Sequence, residues 1–385
     1  MRSQDYDRLY LSPPHLGRYE LNYVHKAVED NWVAPAGPNL AGFEADICLA
    51  TGVAHCVALS SGTAAIHLGL ILLGVGPGDE VLCPSFTFVA TANPIRYLGA
   101  TPVFVDSEPG TWNLCPDHLR EALLDRQRRG RPPKALVLVH LYGMPARLPE
   151  ILALAAEFGV PILEDAAEAL GAHFGQQPLG SFGRVAVFSF NGNKILTTGG
   201  GGALVTNDAA LADRARFLAT QAKDDAPHYQ HSEVGYNYCL SNILAGIGRG
   251  QMELLDQRVK RRREIFAWYR EHLAGLPGLA VAPAAEAPGS HSNRWLTTVL
   301  LAAPEADGRP APTPEAVRLH LETRNIESRP LWKPLHLQTL FAAAPVYGGA
   351  VCADLFARGL CLPSGTAMTD GDLRRVAEAL TEALG

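Results

Sequence analysis

No stretch of this 385-residue sequence comes near the roughly 20 consecutive apolar residues that a membrane-spanning helix needs. The first fourteen residues, Met1 to Pro14, are polar and lack the apolar centre of a secretory signal. No membrane partner is expected, and the sequence reads as cytoplasmic. The seven cysteines (48, 56, 83, 115, 239, 352 and 361) are odd in number and scattered, with no Cys-x-x-Cys pair. Neither a disulfide framework nor a metal site is signalled. Positive charge is also short: 33 Lys and Arg stand against 39 Asp and Glu, a formal net charge of -6. That balance argues against a broad basic field for nucleic acid. One basic cluster, Arg258 to Arg263, falls in a helical pattern and is expected to form a solvated face or an interface. Repeats and long low-complexity tracts are missing as well.

What is present is an ordinary globular composition, 47% apolar and 19% charged, long enough for one large domain and a smaller one. Short apolar runs mark seven strands: Cys56–Leu59, Glu80–Cys83, Thr101–Val105, Ala135–Leu141, Val160–Leu163, Val185–Phe190 and Ala203–Thr206. Most show little alternation, as strands buried on both faces do. Helical patterns lie between many of them, including Thr63–Leu73, Asp117–Arg128 and Leu148–Phe158, the last stopped by Gly159 with Pro161 beyond. This alternation predicts an α/β fold, a mostly parallel seven-stranded sheet with helices on both faces. The large domain is expected over residues 1–245. A long helix, Ile243 to Leu273, then leads into a smaller α+β domain over 246–385. That part has loops at Ala282–Ser290 and Ala302–Pro314, a strand at Trp295–Leu301, and helices at Pro314–Thr323 and Asp370–Leu384.

Ligands on such sheets sit beyond the carboxyl ends of the strands. The first strand runs into Ser60-Ser61-Gly62-Thr63-Ala64-Ala65, where uncovered helix amides and hydroxyls suit an anion. A serine N-cap gives the same letters, and Gly-x-Gly-x-x-Gly, which a dinucleotide fold would show, is not there. The second ends in Pro84-Ser85-Phe86-Thr87-Phe88, whose rings are either core or, in the case of Phe88, a stacking platform. The fifth ends in Glu164-Asp165-Ala166-Ala167-Glu168. Buried carboxylates there need a cation or donors, and a helix N-terminal acid is the plainer alternative. The sixth leads to Ser189-Phe190-Asn191-Gly192-Asn193-Lys194 and then to four glycines, Gly199 to Gly202. A lone loop lysine is by default a solvated cation. An anion cradle, a ring, an acid and an amine in this order nevertheless suit pyridoxal phosphate.

These motifs, with Asn31-Trp32-Val33-Ala34-Pro35 before them and Gly235-Tyr236-Asn237-Tyr238 after, resemble the DegT/StrS-type sugar aminotransferases. The resemblance covers essentially the whole chain. It implies the type I (aspartate aminotransferase) fold, pyridoxal 5'-phosphate as cofactor with pyridoxamine 5'-phosphate as its half-reaction form, and a homodimer with shared sites. By position it makes Lys194 the Schiff-base lysine and Asp165 the partner of the pyridine nitrogen. Gly62, Thr63 and Ser189 become phosphate ligands, Phe88 the stacking residue, and Asn237 a phosphate ligand supplied to the other subunit.

Glu168, close to the cofactor's phenolic oxygen, stands where many members have Gln or His, and Cys239 where many have Arg. Relatives with His in place of the lysine dehydrate sugars instead; this chain keeps lysine. The segments Glu327–Gln338, with Arg329 and His336, and Arg358–Gly365 resemble a subgroup acting on nucleotide-linked 4-keto-6-deoxy sugars. Within it, the bacillosamine-pathway enzymes that aminate UDP-2-acetamido-2,6-dideoxy-4-ketohexoses from L-glutamate fit best. GDP- and dTDP-sugar enzymes, and a PLP-binding regulator without turnover, are the alternatives. Arg329, which can clamp a carboxylate or diphosphate, and His336 are the substrate-site expectations.

Overall fold

A computed structural model describes residues 7–283, 285–302 and 312–385; most of the loop expected at Ala302–Pro314 and the first six residues lie outside them. All seven expected strands form. They are β1 (His55–Leu59), β2 (Glu80–Pro84), β3 (Thr101–Val105), β4 (Ala135–Val139), β5 (Ile162–Asp165), β6 (Val185–Ser189) and β7 (Gly202–Thr206). The smaller part adds β8 (Leu279–Val281), β9 (Thr297–Leu301), β10 (Arg329–Pro330), β11 (Val346–Tyr347) and β12 (Gly359–Leu362).

The large sheet runs β1-β7-β6-β5-β4-β2-β3-β11. Strands β6, β5, β4, β2, β3 and β11 are parallel, whereas β7 is antiparallel to both β1 and β6. The eighth strand is a correction to the seven expected. Two residues carry no periodicity, so Val346–Tyr347 becomes a strand only because it lies beside Phe104–Val105.

The continuous apolar runs mean what they were expected to mean. In β4, Leu136 and Leu138 pack with Leu148, Ile151 and Leu154 of the helix Leu148–Phe158 on one face. Ala135 and Val137 pack with Ile66, Leu68 and Leu70 of the helix Gly62–Leu72 on the other. Alternate residues of one strand thus feed two separate cores, and burial on both faces removes any polar alternation.

The expected helix Ile243–Leu273 is two helices, Asn242–Met252 and Leu255–His272. Neither glycine nor proline stands at the break. There the ladder tightens as the Leu254 amide reaches Gln251 rather than Gly250. The second helix packs Ile265, Phe266 and Tyr269 against β9 and β12 in a small antiparallel sheet ordered β8-β9-β12-β10.

Candidate active site

The carboxyl ends of β1, β2, β5 and β6 surround one cavity of about 330 Å³. Antiparallel β7 brings its first residue, Gly202, opposite Leu59 at the same end. A Cβ on Gly202 would lie 2.4 Å from the carbonyl carbon of Ser61. Only glycine lets β7 pass under the start of the next helix.

That helix, Gly62–Leu72, is capped by Ser61, whose hydroxyl accepts from the Ala64 amide at 3.0 Å. The capping alternative is therefore real, but it uses one amide. The amides of Gly62 and Thr63 are left at the cavity wall, with the helix dipole behind them. Gly62 packs so closely on Ser189 that a Cβ there would come within 2.9 Å of the serine Cβ. Ser189 therefore completes a small cradle with Ser60, Ser61 and Thr63, the donor set an anion needs.

Phe86 is core, 1% exposed, whereas Phe88 is 50% exposed and lines the cavity. Its ring lies 5.4 Å from that of Trp332. A large apolar ring left half-bare inside a concave site offers a face for a planar ligand.

Asp165, at the end of β5, also lines the cavity and is 5% exposed. One carboxylate oxygen accepts from the Thr91 hydroxyl at 2.8 Å and the other from the Ala167 amide at 3.3 Å. Burial pushes its carboxyl above the usual carboxylate range, although the Thr91 bond and the Lys194 charge pull the other way. An acid held this way gains a partner when a ligand brings a protonated ring nitrogen.

The Lys194 ammonium lies 3.4 Å from Glu168 Oε1 and 4.2 Å from the centre of the Trp295 ring. Its side chain is only 11% exposed. That burial supports the expectation of a reactive rather than a solvated lysine. Glu168 also accepts from the Tyr142 amide at 2.7 Å, and burial pushes its carboxyl up while Lys194 opposes the shift.

The turn carrying Lys194 is fixed from a distance. The Asn193 carbonyl accepts from both Ser12 Oγ and Trp295 Nε1, each at 2.7 Å. Arg262 then donates to Ser12 Oγ at 2.7 Å and to the Trp295 carbonyl at 2.8 Å. Arg262 is 2% and Arg258 8% exposed, so these two members of the basic cluster do not form a solvated face, one of the two uses expected of it.

A comparison with known proteins decides what this arrangement belongs to. Residues 14–381 match the profile of the DegT/DnrJ/EryC1/StrS aminotransferase family. The chain belongs to that family. It is 52% identical over 377 residues to the "putative pyridoxal phosphate-dependent aminotransferase EpsN" of Bacillus subtilis, covering 97% of this chain and 95% of that one. It is 37% identical to the GDP-perosamine synthase of Caulobacter vibrioides, with 99% of each covered. The crystal structure of DesI with its TDP-sugar product superposes with a TM-score of 0.85 at 34% identity, covering 98% and 93%.

The fold is accordingly the type I fold, and the enzyme is a pyridoxal-phosphate-dependent sugar aminotransferase. The cavity fits that cofactor in chemistry: an anion cradle, an open ring face, a buried acid short of a cation, and an amine. Among the described residues no group of three or more His, Cys, Asp or Glu could hold a metal ion. No helix among them is long and apolar enough to cross a membrane.

Of the residues expected in the aminotransferase site, the cavity brings together Gly62, Thr63, Phe88, Asp165, Glu168, Ser189 and Lys194. Three lie elsewhere. Asn237 is exposed, bridged to Thr220, and does not line this chain's own cavity. Arg329 lies in an adjoining groove of about 870 Å³, paired with Glu327 at 2.8 Å. His336 lines neither space; its Nδ1 meets Ser85 Oγ at 2.7 Å, and burial lowers its pKa. A ring held by the residue that directly follows β2 is a brace for the segment leaving that strand.

Sequence reasoning missed Thr91, Trp295 and Trp332. Thr91 stands three residues after Phe88 in the 3₁₀ turn Val89–Thr91, a spacing that returns to the same side. That signal was available. Trp295 and Trp332 lie 101 and 138 residues beyond Lys194, and nothing local ties them to it.

Proposed function

We propose that this enzyme moves the amino group of L-glutamate to C4 of a nucleotide-linked 4-keto-6-deoxy sugar, giving the 4-amino sugar and 2-oxoglutarate. UDP-2-acetamido-2,6-dideoxy-4-ketohexose is the substrate put forward. The observation that carries the proposal is the buried Lys194–Glu168 pair facing an anion cradle and Asp165 in one cavity. The neighbouring groove, which shares Asn191, Asn193, Trp295 and Trp332 with that cavity, offers room for a second, longer ligand. Arg329 and Lys333 in the groove are cations of the kind that meet a carboxylate or diphosphate.

Bound pyridoxal phosphate supplies an electron sink for the bond broken at the nitrogen-bearing carbon and carries the nitrogen between substrates. The chain's own residues do the rest. The amides of Gly62 and Thr63, with Ser189, would hold the phosphate. Phe88 would offer its face to the ring. Asp165, ionised, would keep the ring nitrogen protonated. Lys194 would anchor the cofactor through its amine and serve as the base that moves the proton. Its position beside Glu168 and Trp295 shields it from solvent and aims it into the cavity, which suits it to that work.

The active unit is proposed to be a homodimer in which Asn237 of the partner subunit completes the phosphate site. In support, the segment around Asn237 leaves Tyr229 83% and Val234 78% exposed, apolar surface that a partner would cover.

Purified holoenzyme is to be incubated with glutamate and a panel of UDP-, dTDP- and GDP-4-keto-6-deoxy sugars. Amination of the UDP sugar with release of 2-oxoglutarate is expected. Preference for a GDP or dTDP sugar would replace the substrate named here. Failure to turn over any of them would favour a PLP-binding regulator. The dimer is tested by mixing inactive Lys194→Ala and Asn237→Ala chains after subunit exchange. Random pairing puts one intact site in half of the dimers, so about a quarter of wild-type activity returns. Demonstrably mixed dimers without activity would rule out a shared site.

A further inference from the structure

We infer that Thr91, with Thr87 behind it, is a positioning residue that fixes Asp165 as an oriented carboxylate for the ring nitrogen of the cofactor. The inference rests on the role proposed above for Asp165.

Thr91 Oγ1 is 2.8 Å from Asp165 Oδ2, and Thr87 Oγ1 is 3.0 Å from Thr91 Oγ1. A threonine hydroxyl has one proton to give. An ionised carboxylate only accepts, so the Thr91 proton points to Asp165. The proton between the two threonines must then come from Thr87, and the direction of the whole chain is set: Thr87 to Thr91 to Asp165. All three are buried, at 3%, 1% and 5% exposure. Water therefore offers the hydroxyls little competition, and buried hydrogen bonds to a charge are the strong kind.

The second oxygen of Asp165 takes the Ala167 amide at 3.3 Å. With one donor on each oxygen, the carboxylate cannot rotate freely. The turn that carries Thr91 also begins at Phe88. The residue that faces the cofactor ring and the one that holds its acid are thus three positions apart on one short turn, anchored to the end of β2. A shift of this turn would move both together.

The chemical consequence follows from sharing a proton between a ring nitrogen and a carboxylate. A donor on the carboxylate favours its anion and leaves the proton on the ring. Without that donor the carboxylate becomes the stronger base, and the proton moves toward Asp165. Burial already pushes Asp165 in that direction, and the Thr91 bond works against it.

The test uses holoenzyme reconstituted with ring-¹⁵N pyridoxal phosphate, comparing wild type with Thr91→Val, Thr91→Ser, Thr87→Val and Asp165→Asn. Thr91→Val should move the ring ¹⁵N resonance toward that of an unprotonated pyridine. It should also lower kcat about ten- to a hundredfold, the worth of one hydrogen bond to a charge. KM for the amino donor should stay within about twofold, since no donor contact is removed. Thr91→Ser, which keeps the hydroxyl, should restore both readings, and Thr87→Val should shift them the same way by less. If Thr91→Val does not fold, Thr91→Ala serves in its place. A wild-type ¹⁵N position and kcat in the Thr91 variant, with Asp165→Asn shifting both, overturns the inference alone. An unchanged ¹⁵N position in Asp165→Asn instead removes Asp165 from the ring nitrogen, and the inference falls with it.

Discussion

Lys194→Ala is expected to leave a folded chain that has lost multiple turnover by at least about 10⁴-fold, the upper end of what one positioned proton carrier contributes. The same variant should lose the visible absorbance that a lysine-bound cofactor gives. The fold should survive because the Lys194 turn is not held by the lysine side chain. Ser12 and Trp295 hold the Asn193 carbonyl, and Arg262 holds both of them. What the substitution does disturb is Glu168. Its carboxyl is pushed up by burial and held down chiefly by Lys194. Without the ammonium it moves further up, so the carboxyl stays protonated to higher pH. A buried acid with a raised folded-state pKa costs stability as the pH climbs from its unfolded-state pKa to the folded-state one, because over that range the unfolded chain ionises and the folded one does not. Lys194→Ala should therefore lose ground to wild type in melting experiments as the pH rises from the carboxylate range toward neutrality. Kinetic assay, absorbance and the pH series together check the assignment. Retained turnover and absorbance would show that another amine does this work.

Asp165→Asn should reduce turnover by about 10²–10³-fold, the size of effect seen when a group aimed at developing charge is lost. The amide is nearly the same shape and keeps an acceptor for the Thr91 hydroxyl, so packing changes little. Removing a carboxyl that burial disfavours in its charged form should leave stability equal or slightly higher. Loss of rate without loss of stability is the pattern expected of a residue retained for chemistry. Steady-state kinetics and denaturant unfolding on one preparation decide it; near-normal turnover would take Asp165 out of the site.

The sequence carried much of this because each local cue had a local cause. Strands such as Ala135–Val139 were visible as apolar runs, since a strand that feeds two cores has no polar face to show. Gly62 and Thr63 were visible because a helix start has amides to give, whatever the rest of the chain does. Lys194 was visible only as one of a set, because a lysine in a turn followed by glycines looks the same whether it is solvated or buried. The break at Glu253–Leu254 was not legible, because helical residues stand on both sides of it. Nor was the eighth strand, which two residues from the smaller part add to the sheet. His336 was singled out with its neighbours in sequence, but its ring turns to Ser85, away from the cavity.

By itself, then, the sequence determined the α/β order, the strand ends and the residue types that pyridoxal phosphate requires. Those follow from backbone hydrogen bonding and burial within a few residues. The tertiary structure alone decided that Lys194 is shielded beside Trp295 and Glu168, and that Thr91 donates to Asp165. It likewise decided that Arg258 and Arg262 are interior braces and not a solvated face. Each of those is a contact between side chains far apart in the chain. Whether a charged or polar group is solvated, paired or reactive depends on what folds over it.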